Sequence, residues 1–90
     1  MLFDWDKNKA VSNLAKHKVS FEEASTVFGD PLSETFDDPD HSIDECRFLI
    51  IGHSVMGKLL FVSHTDDGEI VRIISARELT RGEQKSYEQE

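Results

Sequence analysis

Two apolar runs, Phe48-Leu49-Ile50-Ile51 and Leu59-Leu60-Phe61-Val62, constrain this chain more than any other feature. Successive residues of a strand point to opposite faces, so an unbroken apolar run means a strand covered at least partly on both sides. The pattern predicts three strands, Cys46–Ile51, Leu59–His64 and Glu69–Ser75, joined by a loop containing Gly57 and by the hairpin signal Asp67-Gly68. Connections this short make an antiparallel meander. In a chain of only 90 residues, folding buries about 60–65% of the unfolded surface. The remaining segments must therefore supply the covers.

They read as helices. Asp6 is placed to cap a first helix with Ala10, Leu14 and His17 on one face, after a short strand or staple at Phe3 and Trp5. Its end, Lys16-His17-Lys18, carries the positive charge that suits a helix C-terminus. Ser20-Phe21-Glu22-Glu23 is a capping box, with Val19 placed to staple onto Ala24, and it opens a second helix running to about Phe28. Gly29-Asp30-Pro31 stops that helix, and a weak strand around Ser33–Phe36 follows. Thr80-Arg81-Gly82-Glu83 is another capping box and announces a C-terminal helix. The expected fold class is α+β, with residues 1–90 as one domain.

Composition narrows the function. Hydrophobic content of 38% with six Phe excludes a disordered segment, and no apolar run is long enough to span a membrane. The opening MLFDWDKNK places acids where a signal peptide has a basic and then an apolar stretch, which argues against export. Cys46 is the one cysteine and has no partner for an internal disulfide, which suits a cytoplasmic protein. The net charge of −8 argues against non-specific coating of DNA or of an anionic membrane. That charge is unevenly spread. Nine acids and no Lys or Arg lie between Glu22 and Glu45, whereas Arg72, Arg77, Arg81 and Lys85 outnumber Glu78 and Glu83 near the C-terminus.

The basic stretch carries two readings. Period-2 alternation puts Arg72 beside Ile70 and Ile74, either snorkelling to a carboxylate at the sheet edge or waiting for an anion. Arg77 and Arg81, four apart, share a face if the helix begins early, and Lys85 extends the row as a solvated face or as part of a phosphate patch. Glu83 is either the capping-box acid or a carboxylate beside that patch. Tyr87, four residues on, is either a core anchor or a phenol at the same place. Arg47 can reach this face from a neighbouring strand. His17, between Lys16 and Lys18, is a proton-transfer candidate if it lies near the arginines. His53 and His64 flank the central hairpin and carry the same two readings. His41, between Asp40 and Asp44, matches no metal-ligand spacing, and a solvated acidic loop is the default there.

Taken in order, these residues resemble the BrnT toxins of bacterial type II toxin–antitoxin systems, within the RelE-like ribonuclease superfamily. The resemblance runs through Phe3-x-Trp5-Asp6, Lys7, Lys9-Ala10 and Asn13-Leu14 into Lys16-His17-x-Val19-x-Phe21-Glu22-Glu23-Ala24. It continues through Val27-Phe28, Asp30-Pro31, Asp40-His41, Arg47-Phe48, Gly52 and Gly57 to Arg72-Ile73-Ile74-Ser75-Ala76-Arg77 with Thr80, Glu83 and Tyr87. Two departures from the pattern stand out: Lys18 stands where the family usually has Gly, and Gly82 and Gln84 thin a usually Arg-rich last helix.

The resemblance implies a RelE-like fold, a curved antiparallel sheet with two N-terminal helices and a C-terminal helix. It implies a metal-independent endoribonuclease, with no cofactor, that inhibits translation. The partner implied is a BrnA-type ribbon-helix-helix antitoxin in a 2:2 heterotetramer that contacts operator DNA only through the antitoxin. In such an enzyme the substrate's own 2′-hydroxyl attacks phosphorus and leaves a cyclic phosphate. Arg72 and Arg77 are the candidates for stabilising charge on phosphorus, because a planar fork matches non-bridging oxygens. Glu83 or His17 is the candidate base, and Tyr87 stacks or aids proton transfer. Lys16, Arg47, Arg81 and Lys85 are expected to guide RNA. The alternative is a non-catalytic toxin-fold protein serving as antitoxin-binding corepressor or scaffold. A metal-dependent hydrolase using the Asp40/His41 loop is a third, weaker reading.

Overall fold

The computed structural model describes residues 1–38 and 46–88. In chain order the elements are β1 (Leu2–Trp5), α1 (Lys7–His17), α2 (Phe21–Ser25) continuing into a 3₁₀ turn (Thr26–Gly29), β2 (Glu34–Asp37), β3 (Arg47–His53), β4 (Leu59–Asp66), β5 (Ile70–Glu78) and α3 (Arg81–Glu88). The five strands form one sheet in the order β1-β5-β4-β3-β2. The α+β architecture with two N-terminal helices and one C-terminal helix is as expected. The sheet itself is mixed rather than antiparallel throughout, because β1 runs parallel to β5.

The direction of β1 has a physical cause. Phe3 and Trp5 alternate toward the helix layer, where they meet the rings of Phe28 at 5.2 Å and Phe21 at 6.0 Å. The ladder ends at the pair Trp5 and Ile73. Asp6 then opens α1, accepting from the backbone N–H groups of Asn8 at 2.8 Å and Lys9 at 3.1 Å. Further along β5, where β1 no longer covers the edge, the Asn13 side chain takes the place of a neighbouring strand. Its Oδ1 accepts from Ala76 N–H at 3.0 Å, and its Nδ2 donates to Ala76 C=O at 2.8 Å and to Val19 C=O at 3.0 Å. Strand and helix must run in the same sense for the chain to reach that edge.

This docking corrects the expected face of α1. Asn13 is buried and Ala10 half-buried, whereas Leu14 is 49% exposed and His17 is exposed. The helix seals an open edge and needs only a narrow stripe. Between the helices and the sheet lies the core of Val19, Phe21, Ala24, Val27, Ile50, Leu60, Val62, Ile73 and Ala76.

Helix ends follow the sequence signals, with two differences. Ser20 accepts from Glu23 N–H at 3.0 Å, but the buried Glu23 carboxylate turns away from its helix to accept from Ser54 Oγ at 2.7 Å and to face Lys58 Nζ at 3.9 Å. That half of the box instead ties α2 to the β3–β4 turn. Lys18, at the end of α1, adopts the left-handed region at φ 61° and donates to Leu14 C=O at 3.0 Å. Gly52 is required by close approach, since a Cβ there would lie 2.9 Å from Ser33 Cβ and 3.0 Å from Val27 Cγ1.

Candidate functional site

The helix layer leaves much of the opposite side of the sheet open, and one irregularity decides what that side presents. Arg72 and Arg77 are five residues apart, which in a regular strand would put them on opposite faces. Across the ladder, however, Ser63 pairs with Ser75 while His64 pairs with Ile73, so Ile74 is an extra residue. The bulge resets the alternation. Arg72 pairs with Thr65, Arg77 with Phe61, and Thr65 in turn with Arg47 on β3. All three arginines therefore stand on the open face, Arg72 and Arg77 about 13 Å apart along the sheet and Arg47 roughly 10 Å across it from Arg72.

Two grooves divide this face. One, of about 530 Å³, is lined by Asp4, Lys9, Cys46, Arg47, Thr65, Asp66, Asp67, Ile70, Arg72 and Ile74. The other, of about 460 Å³, is lined by His17, Asp38, Arg47, Leu49, Phe61, Ser63, Ile74, Ser75, Ala76 and Arg77. Arg47 and Ile74 form the saddle between them. Along one side α1 supplies a rim that includes Lys9 and His17.

The arginines are held differently. Arg72 donates from one nitrogen to Asp4 Oδ2 at 2.6 Å, and both side chains are about half exposed. This is the edge carboxylate that the snorkelling reading required. Arg77 lies over the Phe61 ring with its guanidinium 4.9 Å from the centroid, and both terminal nitrogens donate to Glu83, at 2.7 and 2.9 Å. The hydrogen bonds to Glu83 raise the Arg77 pKa further above its ordinary value.

Glu83 also completes the second capping box, accepting from Thr80 N–H at 2.9 Å while Thr80 Oγ1 accepts from Glu83 N–H at 3.2 Å. The Arg77 guanidinium and the Thr80 backbone together hold its carboxyl down to about 2. Tyr87 donates its hydroxyl to Leu32 C=O at 2.9 Å and fixes the far end of α3. Burial is the main reason that its phenol is shifted upward, with the charges of Glu34 and Asp30 adding to it.

Several expected groupings are corrected by this arrangement. Arg77 belongs to β5 and α3 starts only at Arg81, so Arg77, Arg81 and Lys85 do not form one helical row. Arg81 and Lys85 instead flank a separate depression on α3, and Lys16 is exposed in the last turn of α1. His64 is a core residue, its ring 4.8 Å from Phe28 and 5.9 Å from Phe48, and burial lowers its pKa. His53 is exposed, with its backbone N–H donating to Asp30 at 2.7 Å. The Asp40/His41 loop lies outside the described residues; among the described residues no group of three or more His, Cys, Asp or Glu is placed to hold a metal. Asp4 and Lys9 were missed as site residues. Asp4 sits between Phe3 and Trp5, and their inward alternation already points it to the open face.

Comparisons with known proteins agree with this architecture. The chain is similar to the Brucella abortus ribonuclease toxin BrnT, known from a 1.1 Å crystal structure, with 22% identity and a TM-score of 0.69 over 90% of this chain and 100% of that one. That likeness concerns the fold. No match was found among curated proteins. Residues 5–83 match the family described as ribonuclease toxin, BrnT, of type II toxin–antitoxin system. The match takes in the strands β2 to β5, the helices α1 and α2, and Arg47, Arg72, Arg77 and Glu83, and on it the chain belongs to the BrnT family of ribonuclease toxins of type II toxin–antitoxin systems.

Proposed function

We propose that this chain is a metal-independent endoribonuclease that cuts RNA across the open sheet face and thereby inhibits translation. Membership of a type II toxin family implies ribonuclease activity and a cognate antitoxin. The observation that carries the finer reading is the collection of Arg47, Arg72, Arg77 and His17 around two adjoining grooves in a molecule whose net charge is −8. Asp4, Asp66 and Asp67 line one groove and Asp38 the other, so the arginines serve as individual forked phosphate contacts and not as a net positive field.

The chemistry needs three things from the protein. A base must take the proton of the 2′-hydroxyl, cations must stabilise charge on the five-coordinate phosphorus, and the leaving 5′-oxygen must gain a proton. Arg72 fits the charge role, because it lines the groove and holds Asp4 through one nitrogen. Arg77 shares that role, with its fork anchored on Glu83. His17 is the better base, since a carboxyl held at about 2 is too weak to accept a hydroxyl proton. Glu83 and Tyr87 then serve to dock α3. Lys16, Arg81 and Lys85 lie outside the grooves and guide the RNA backbone. The antitoxin is a BrnA-type ribbon-helix-helix protein, assembled 2:2, which alone contacts operator DNA, and the complex works in the cytoplasm.

The test is incubation of purified chain with labelled single-stranded RNA in EDTA, alongside the same RNA carrying a 2′-deoxy sugar at the cut position. Cyclic-phosphate ends from the first and no cut in the second are expected. Cleavage of the deoxy substrate would overturn the mechanism. The non-catalytic reading draws on one observation, that both Arg72 and Arg77 already hold carboxylates. A scaffold of that kind should leave growth unaffected when expressed without antitoxin, whereas the nuclease should arrest it.

A further inference from the structure

We infer that Arg47 is a catalytic residue, seated beneath the scissile phosphate. The inference rests on the ribonuclease reading above and identifies where on the open face the reaction occurs. Arg47 and Ile74 are the two residues that line both grooves. Of the two, only Arg47 carries a charge. On one side of it lie Arg72, its partner Asp4 and Lys9; on the other lie His17 and Arg77. A strand of RNA following this face crosses the saddle, with one nucleotide in each groove and the linking phosphate over Arg47.

Spacing supports that placement. Lys9 and His17 are eight residues apart on α1, hence about 12 Å along its axis. The rim runs past both grooves and gives the backbone a cation or a proton-transfer group at each end. Arg72 and Arg77, about 13 Å apart on β5, flank the same span. Neither sits at its centre. Arg47 stands level with Arg72 across Thr65 but, unlike either, lines both grooves; its backbone is fixed by pairing with Thr65 and by Asp38 N–H donating to its C=O at 2.9 Å. The side chain is half-buried, and in a partly dry groove a guanidinium stabilises developing charge more strongly than it would in water.

In the step itself the 2′-oxygen forms a bond to phosphorus as the bond to the 5′-oxygen breaks. The proton leaves the 2′-hydroxyl for the base, and the 5′-oxygen is protonated. Arg47 exchanges no proton. It contacts the two non-bridging oxygens, whose charge grows only in the transition state, so its loss should lower kcat far more than it weakens binding.

The experiment compares wild type, Arg47→Ala and Arg47→Lys on the same labelled RNA, with melting temperatures recorded. We expect kcat to fall about 10²–10³-fold in Arg47→Ala, as for removal of one transition-state donor, and to recover in part when guanidinium ion is added at sub-denaturing concentration. Arg47→Lys keeps the charge and the stem but loses the fork, so a reduced kcat at an unchanged melting temperature supports the same conclusion should the alanine variant fold poorly. A wild-type kcat in either variant, or a raised KM alone, would overturn the assignment while leaving the ribonuclease reading intact. Absence of cleavage by wild type would overturn both.

Discussion

Replacing Asn13 with Ala should be among the most damaging single changes in this protein, although Asn13 touches no proposed substrate. Its amide makes three hydrogen bonds of 2.8–3.0 Å, two of them to the same residue, Ala76, as a strand neighbour would. The site is closed to solvent, with Asn13 only 6% exposed and Ala76 and Val19 fully buried. At about 1 kcal/mol per bond, with one donor and two acceptors left unmet in the interior, the loss should be about 3–4 kcal/mol. A chain of this length has roughly 5–13 kcal/mol in total. Urea unfolding should show the midpoint falling by about 1–4 M with little change in slope. Asn13→Asp should be worse than Ala, because it removes both donors and sets a carboxylate against the carbonyls of Ala76 and Val19. A loss below about 1 kcal/mol, or an Asp variant as stable as the Ala variant, would refute the idea that α1 completes the β5 edge through this amide.

Two further outcomes concern stability. Glu83 is held at about 2, below its ordinary 4.5, so its contribution is present above pH 4.5 and disappears as pH falls through 2. Because the pair is a little over a third exposed, that contribution should be about 1 kcal/mol rather than the full value of the shift, and Glu83→Gln should flatten the dependence of urea midpoint on pH across that window. Lys18 occupies the left-handed region, so Lys18→Gly should stabilise the protein by about 0.5–1 kcal/mol and raise the melting temperature by several degrees; an unchanged or lower melting temperature would count against strain at that position.

Much of the fold was legible because it is written locally. Asp6, Ser20 and the Thr80/Glu83 box start helices where expected, and Asp67-Gly68 closes a hairpin with Gly68 at φ 95°. What escaped depends on distant partners. Nothing near Phe3 and Trp5 states that their strand lies parallel to one 68 residues later, as Asp4 and Arg72 are paired. Asn13 reads as an ordinary helical polar residue until the free edge of β5 is known to need a donor and an acceptor. The extra residue at Ile74 is invisible in Arg72-Ile73-Ile74-Ser75-Ala76-Arg77, since every residue there suits a regular strand. Without it Arg77 could be placed on the open face only by assigning it to the helix. The residues of the candidate site were therefore identifiable by type, while their assembly on one face was not.

The central claim is that the open face cuts RNA with its arginines. The most direct measurement is cleavage of a labelled single-stranded RNA by wild type and by Arg72→Ala, both confirmed folded by circular dichroism. The Asp4–Arg72 pair is half exposed and contributes at most about 1 kcal/mol to stability, so the variant should fold normally and yet lose at least about 100-fold in rate. A folded Arg72→Ala protein that cleaves as fast as wild type would contradict the account.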